Sequence, residues 1–491
     1  MARDPQLALV ALNRFGFGAR GGASGDYVAA ASDPRGFVKA EIGKPGAALL
    51  EVPGLLPTPV LARQLFDYQE EVRKEREANA KLAALALASG SSAAAVAGNE
   101  TSAPSVSQSP PPPRPLPPKP LDVVQRTYRA EALARIQRAS LAEVGIVERL
   151  VAFWSNHFCI SITKGQPAHI WAGSFEREAI RPHVLGRFAD MLEAVEQHPA
   201  MLFFLDNQQS VGPDSRAGQN RKRGLNENLA REIMELHTLG VGSGYSQEDV
   251  TTLARIITGW TFAGRDGKLG EPGSFAFNAN AHQPGPQTLL RRTYADTGVT
   301  QGEAALADIA RHPATAKFIA TKFVRHFIAD DPPQALVGTL AQVFATTDGD
   351  LHAMTLALLD SDEAWQAPLT KLRSPYEFLV ASGRLLSRIP EEPGRYLGPL
   401  NMLGEPLWGP PGPNGFADTV AAWGSPEGLK LRLDVSAQIA SRIADTVDAR
   451  DLLEIVAGSA ASSDTRQTVG RAESRQQALA LLLMSPEFQR R

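Results

Sequence analysis

The polar residues with the most suggestive spacing lie between positions 223 and 239, where Glu227, Arg231 and Glu235 recur every four residues. On an α-helix this spacing places the three side chains on one face and the apolar residues of the segment on the opposite face. An arginine one turn from two carboxylates can pair with both. In a cleft these carboxylates could perform acid–base chemistry, with the arginine orienting them or binding an anionic substrate. On the surface they would form an ordinary ladder of ion pairs, which the spacing alone favours.

Two histidines elsewhere in the sequence are candidate bases or metal ligands. His157 follows Asn156 at the end of an apolar and aromatic segment, where it could act as a base or ligand, or lie in the core bonded to a backbone carbonyl. His282 lies in a loop rich in proline, glycine and asparagine, which suits the rim of a site. The suggested cofactor is a divalent metal ion, and its candidate ligands are His157, Glu235 and His282.

These residues support two hypotheses about function. In the first, the protein is an enzyme whose polar cleft is built from segments 156–157 and 227–237 together with His282, and the reaction is hydrolytic or metal-assisted. In the second, it is a non-catalytic binding or assembly protein in which the polar residues form a buried structural network. The candidate catalytic residues of the first hypothesis are His157, Glu227, Arg231 and Glu235.

The elements that must position these residues are predicted to be helices. From position 141 to the end of the chain, apolar residues recur with the period of an α-helix, and alternation typical of strands is limited to 272–278 and 287–294. We therefore predict an all-α protein with one large multi-helix domain, long loops and at most a short β-hairpin. The predicted helices nearest to the candidate residues are 141–156, 174–194, 225–239, 247–261 and 313–329.

A change of composition interrupts the helical pattern near the N-terminus. Residues 89–120 are rich in serine, alanine and proline and cannot bury enough apolar surface to fold, so we predict a disordered insertion. Residues 1–88 form the N-terminal helical part of the main domain and residues 121–491 form the remainder. Because strong helical patterns flank the insertion, a helical hairpin with an extended tip is expected rather than two domains.

The composition narrows the classes of function. Lys and Arg total 50 and Asp and Glu total 53 in 491 residues, so the net charge of −3 provides no field to hold nucleic acid. The single cysteine, Cys159, excludes an internal disulfide and a cysteine-based metal cluster. No apolar run is long enough to predict a membrane-spanning helix, and no signal peptide is evident, so we expect a cytoplasmic protein.

Several short blocks of sequence resemble a bacterial family without an assigned activity, domain of unknown function 1800. Members of this family often occur beside a phosphatase-like protein, so the resemblance implies a phosphatase-like partner. It also implies that the polar blocks around 156–157 and 226–237 belong to a shared site. The blocks that carry the resemblance are 12–18 (LNRFGFG), 153–158 (FWSNHF), 226–232 (NENLARE), 235–240 (ELHTLG), 244–250 (GYSQEDV), 312–316 (HPATA) and 485–488 (SPEF).

The sequence departs from the family pattern at two loops. Where the family usually shows His-Asp-x-Gly, this chain has His-Gln-Pro-Gly at 282–285, and the missing carboxylate weakens a metal or acid role for that loop. Where the family shows a Gly-Trp-Pro turn, this chain has Asn-Gly-Phe-Ala at 414–417.

Overall fold

The computed structural model of the protein describes residues 4–22, 25–93, 121–219 and 224–491, with the backbone alone for 88–93. Helices dominate every described part of the chain, which confirms the all-α prediction. Buried apolar residues from Ala8 to Phe488 form one cluster, so the first and last helices share a core with the middle of the chain. No helix of the described ranges has the length and apolar character needed to cross a lipid bilayer.

The described ranges contain 24 α-helices. The first are Pro5–Leu9 (α1), Asp26–Ser32 (α2), Pro34–Ile42 (α3), Thr58–Ala93 (α4), Val123–Leu141 (α5), Ile146–His157 (α6), Gln166–Phe175 (α7), Phe188–Glu196 (α8) and Pro199–Phe204 (α9). The next are Asn228–Glu232 (α10), Gln247–Ile256 (α11), Val299–Ala310 (α12), Pro313–Phe327 (α13), Gln334–Thr346 (α14), Leu351–Asp360 (α15), Asp362–Gln366 (α16) and Pro375–Leu385 (α17). The last are Gly394–Met402 (α18), Val420–Trp423 (α19), Pro426–Ile443 (α20), Ala449–Val456 (α21), Ser463–Gly470 (α22), Arg475–Met484 (α23) and Pro486–Gln489 (α24).

Four short strands form two antiparallel pairs within the described ranges. Strands Trp260–Phe262 (β1) and Phe275–Phe277 (β2) pair with each other, and Gln287–Leu289 (β3) pairs with Arg292–Tyr294 (β4). Both predicted strand segments, 272–278 and 287–294, contain strands, but they do not pair with each other, because 287–294 folds back on itself as β3 and β4. The partner of β2 was not predicted, because the helical pattern was extended to position 261, whereas α11 ends at Ile256.

The predicted helix 174–194 was wrong as a single element. A π-helical turn follows α7, a 3₁₀ turn at Arg181–His183 follows that, and α8 begins only at Phe188. Pro182 lies in the 3₁₀ turn and has no backbone N–H to continue an α-helix. The chain therefore changes direction where the apolar period alone indicated a continuous helix.

The predicted helix 225–239 is shorter and less regular than expected. Helix α10 covers five residues and continues into a π-helical turn at Ile233–His237. A π-helical turn contains one more residue than an α-helical turn, so the second half of the segment does not follow the projection at 100° per residue.

Helix α4 extends five residues into the range predicted to be a disordered insertion. The rest of that prediction, positions 94–120, lies outside the described residues. Helix α5 follows it, contacts α4 and packs along α7, which places the two flanking helices side by side as a hairpin requires.

Candidate active site

The predicted trio on α10 and the following π-helical turn forms a surface ladder, a name we keep for Glu227, Arg231 and Glu235. Arg231 contacts Glu227 at 3.1 Å and Glu235 at 3.3 Å. The three side chains are 30%, 37% and 29% exposed in sequence order. Glu227 also accepts hydrogen bonds from Gln247 and Thr251 of α11. The ladder therefore joins two helices at the surface, and its side chains are not part of a buried network.

His282 is buried against the strand region, apart from the surface ladder. Its Nδ1 lies 2.9 Å from the backbone carbonyl of Thr258, which requires Nδ1 to donate. Its Nε2 lies 3.8 Å from the half-exposed carboxylate of Asp296 and has no hydrogen-bond partner among the described residues. Its ring packs edge-on against Phe277. This histidine orients the loop after β2.

The three candidate metal ligands have separate surroundings. His157, Glu235 and His282 share no contact residue in any hydrogen bond, ion pair or ring contact of the described chain. In the same residues, no three His, Cys, Asp or Glu side chains are grouped closely enough to hold a metal ion. The structure therefore does not bring these three residues together as one ligand set.

The predicted residues Asn156 and His157, by contrast, line a cavity of about 280 Å³. Its walls come from α6, α13, α17 and the loop between α18 and α19. This volume is just below the range typical of pockets for drug-sized ligands, so the cavity suits a small molecule.

The end of α6 holds the loop that closes one side of the cavity. The Asn156 amide donates to the carbonyl of Phe416 at 2.9 Å and accepts from its N–H at 2.8 Å. Gly415 has a φ of 74°, and a Cβ there would lie 2.5 Å from the Asn156 carbonyl oxygen. Ser161 donates to Pro410 at 2.8 Å, and the Cys159 thiol donates to Pro413 at 3.2 Å. The loop is thus held at several points along its length.

His157 presents an unused acceptor at the cavity. Its Nε2 lies 3.0 Å from the backbone carbonyl of His237, so Nε2 carries the proton. Its Nδ1 is buried without a hydrogen-bond partner among the described residues. Burial, reinforced by the charge of Lys322, holds the pKa of His157 well below its usual value. The ring therefore stays neutral, and Nδ1 keeps an unused lone pair.

Lys322 of α13 is the least compensated charge in the cavity. Helix α13 begins with a His312 cap and Pro313, and its apolar stripe packs into the core. The partly buried Lys322 ammonium forms no hydrogen bond or ion pair with a described residue, and Phe318 lies below it with the ring centre 5.5 Å away. Burial lowers the pKa of this amine to about 8. Roughly a tenth of it is therefore neutral at pH 7.

One turn further along α13, His326 is fully engaged. Its Nδ1 lies 2.6 Å from Asp418, and its Nε2 faces an Arg149 nitrogen at 3.4 Å, so Nδ1 donates and Nε2 accepts. Burial lowers the pKa of His326 to about 4. This histidine is a neutral link between two charged residues and has no free nitrogen to offer to a ligand.

Glu377, Asp418 and Arg491 line another part of the cavity and form, with Arg149 and Lys371, what we call the core ion cluster. Glu377 pairs with Arg149 at 3.1 Å and with Arg491 at 2.7 Å. Asp418 pairs with Lys371 at 3.1 Å and with Arg491 at 3.0 Å. Burial raises the pKa of Glu377, but the two guanidinium groups outweigh it and hold the value at about 2. These paired charges stabilise the wall, and Glu377 stays ionised near neutral pH.

Glu405 also borders the cavity and has a different character. Its carboxyl accepts the backbone N–H of Tyr376 at 2.7 Å and forms no ion pair with the described residues. Nearby Arg135 is occupied, because it pairs with Glu176 at 3.0 Å and stacks over the Tyr376 ring at 4.7 Å. Burial raises the pKa of Glu405 to about 7. This carboxyl is therefore half-protonated near neutral pH and can donate or accept a proton.

The sequence pointed to the α6 side of this cavity but not to its acid–base groups. Lys322 and Glu405 were not candidates, and neither has a distinctive sequence neighbourhood. The available signal was the spacing of Lys322 and His326, which places both on one face of the predicted helix 313–329. That spacing does not reveal that a lysine will lack a carboxylate partner.

Comparison with known proteins identifies the family of this chain. No curated protein and no solved structure matches it. The model of a family described as "Protein of unknown function (DUF1800)" matches residues 10–490. Since the match covers nearly the whole chain, the protein belongs to the DUF1800 family.

Proposed function

We propose that the protein is an enzyme that binds a small molecule in the 280 Å³ cavity and transforms it with Lys322 and Glu405. The observation that supports this most strongly is that an amine of pKa about 8 and a carboxyl of pKa about 7 line one cavity. Perturbed groups of this kind cluster at catalytic sites, since a pKa close to the working pH allows proton transfer in either direction.

The roles of the two groups follow from their charges. The neutral form of Lys322 is a base and a nucleophile, and the protonated form of Glu405 is an acid. His157 adds an acceptor that stays neutral and can fix a donor group of the ligand. Proton transfers of this kind are what hydrolysis needs, which keeps the hydrolytic hypothesis. The described residues around the cavity offer no group of metal ligands in support of its metal-assisted form.

The experiment is an untargeted search for turnover. The protein is incubated with the small-molecule fraction of a bacterial extract, and metabolites are compared by mass spectrometry with those left by Lys322→Met and by Arg231→Ala. We expect a metabolite that the wild type and Arg231→Ala both consume and that Lys322→Met consumes at least about 10²-fold more slowly, as for loss of a catalytic acid or base. If no metabolite separates the wild type from Lys322→Met, the proposal is wrong.

The alternative is a non-catalytic binding or assembly protein. The fully paired core ion cluster favours it, because such a network can serve rigidity alone. In this case the metabolite search detects no turnover, while a small ligand or a partner still protects the wild type against unfolding. A phosphatase-like protein as that partner, and a cytoplasmic location, stay predictions from the sequence.

A further inference from the structure

Two cations at the cavity lack carboxylate partners in the described structure. Lys322 and Arg325 lie one turn apart on α13, and both line the cavity. The Arg325 Nε donates to the backbone carbonyl of Asp330 at 3.1 Å, and its guanidinium forms no ion pair with the described residues. The cavity therefore presents uncompensated positive charge, which an anionic ligand would neutralise.

A second lysine nearby shows how the chain treats a structural amine. Lys371 is buried to 1% exposure and contacts Asp330 at 2.9 Å and Asp418 at 3.1 Å. Both carboxylates stabilise its charged form. Lys322 has no such partner, although it lies one turn from His326, which does contact Asp418. The absence of a carboxylate at Lys322 leaves its amine available as a nucleophile.

We propose that Lys322 forms an imine with a small aldehyde or ketone that carries an anionic group, and that Arg325 binds this group. The inference rests on the proposed function and specifies its substrate class. It follows from the position of an amine and a guanidinium that lie one turn apart and have no carboxylate partner among the described residues, in a small cavity that a carboxyl able to carry a proton also lines.

The covalent step balances within the cavity. The neutral amine attacks the carbonyl carbon and forms a C–N bond, while the carbonyl oxygen takes the proton of Glu405 and becomes a hydroxyl. The nitrogen then returns one proton to the Glu405 carboxylate. That proton passes to the hydroxyl, which leaves as water as the C=N bond forms. The reaction consumes one carbonyl compound, releases one water and needs no oxidant or reductant.

The test uses pyruvate as the anionic ketone and acetone as the neutral one. Each is incubated with the full-length protein and sodium cyanoborohydride, which reduces an imine to a stable secondary amine, and modified lysines are located by peptide mass mapping. We expect pyruvate to modify Lys322 at least about tenfold faster than any other lysine, with a rate that is highest between about pH 7 and 8, where neutral Lys322 and protonated Glu405 coexist most. Lys371 on the same peptide map serves as the buried internal control and should stay unmodified.

Variants assign the two roles. Lys322→Met should lose the fast modification, and Arg231→Ala should keep it. Arg325→Gln should slow modification by pyruvate about tenfold, as expected for one charge-assisted hydrogen bond, and leave the acetone rate unchanged. If pyruvate modifies Lys322 no faster than it modifies other lysines, the proposal that Lys322 forms an imine is wrong. If pyruvate and acetone modify Lys322 of the wild type at equal rates, the proposal that the ligand carries an anionic group is wrong.

The two proposals fail in different ways. If the metabolite search finds Lys322-dependent turnover but no imine is trapped at Lys322, the imine is wrong and the proposed enzyme stands. If an imine is trapped selectively, the cavity binds carbonyl compounds whatever the metabolite search finds.

Discussion

The surface ladder and the core ion cluster are both built from arginines and carboxylates, but the chain assembles them differently. The ladder joins residues four apart in sequence, and each of its side chains is about a third exposed. The core ion cluster joins Arg149 to Glu377 and Arg491 across more than 200 residues, and these side chains are 5% exposed or less. Ion-pair geometry is similar in the two regions, so the difference in burial decides what each contributes to stability.

Lys322 illustrates a third case beside these two. It is partly buried, lines the same cavity as members of the core ion cluster, and has no carboxylate partner among the described residues. Such a residue costs stability, and a fold tolerates that cost most readily where the residue serves function. Four predictions test how much stability depends on three kinds of charge: buried charges with a partner, partly buried charges without one, and charges at the surface.

The largest effect is expected in the core ion cluster. Glu377→Gln leaves Arg149 and Arg491 without their shared carboxylate, so the free energy of unfolding should fall by about 3–5 kcal/mol. Chemical denaturation at pH 7 measures this loss, and Glu235→Gln in the surface ladder is the matched control. A loss of similar size in the two variants would show that burial does not separate the regions.

The second prediction is that removing Lys322 increases the free energy of unfolding. The pKa of Lys322 is about 8 in the folded protein against 10.5 for an ordinary lysine, so the unfolded chain binds this proton more tightly. Stability therefore rises with pH between these values. Lys322→Met removes the buried charge and should be more stable than the wild type at pH 7, on the order of 1–3 kcal/mol, with the difference shrinking towards pH 10.5. Destabilisation at pH 7 would indicate an unrecognised partner of Lys322.

The third prediction concerns Glu405, whose folded pKa of about 7 lies above the ordinary 4.5. The folded carboxyl holds its proton more tightly, so its favourable contribution is present below pH 4.5 and is lost as the pH rises to 7. Glu405→Gln imitates the protonated form. It should match the wild type in acid and be more stable by about 1–2 kcal/mol at pH 8. Parallel pH profiles of the free energy of unfolding would contradict the raised pKa.

The smallest effect is expected in the surface ladder. Arg231→Ala should lower the free energy of unfolding by less than about 1 kcal/mol, because solvent screens its two pairs. High salt should reduce even this difference. A loss above about 3 kcal/mol would mean that the ladder is buried in solution and would restore it as a candidate site.

Local patterns explain which features were predictable from the sequence. The helical period of apolar residues located many of the helices. The segment that ends in His157 pointed to the cavity because its aromatic residues and its histidine lie within one short stretch of chain. The surface ladder attracted attention for the same reason, since its spacing is local. The role of Lys322 could not be predicted from the sequence. Whether a carboxylate lies near its amine depends on how the segments around positions 159, 405 and 418 come together in the fold. The π-helical turn after α10 was missed because the apolar period does not record one additional residue in a turn.

The bonds between Asn156 and Phe416 also bear on when the cavity can form. They join residues 260 positions apart, and the bond of Ser161 to Pro410, which also holds the loop, spans 249 positions. At a typical synthesis rate of 5–20 residues per second, the ribosome needs roughly 13–50 s to deliver Phe416 after Asn156. During this interval α6 exposes its aromatic face and its amide to the surrounding water. Assembly of the cavity is therefore a late folding event, and the nascent chain should depend on chaperones until the last third has emerged.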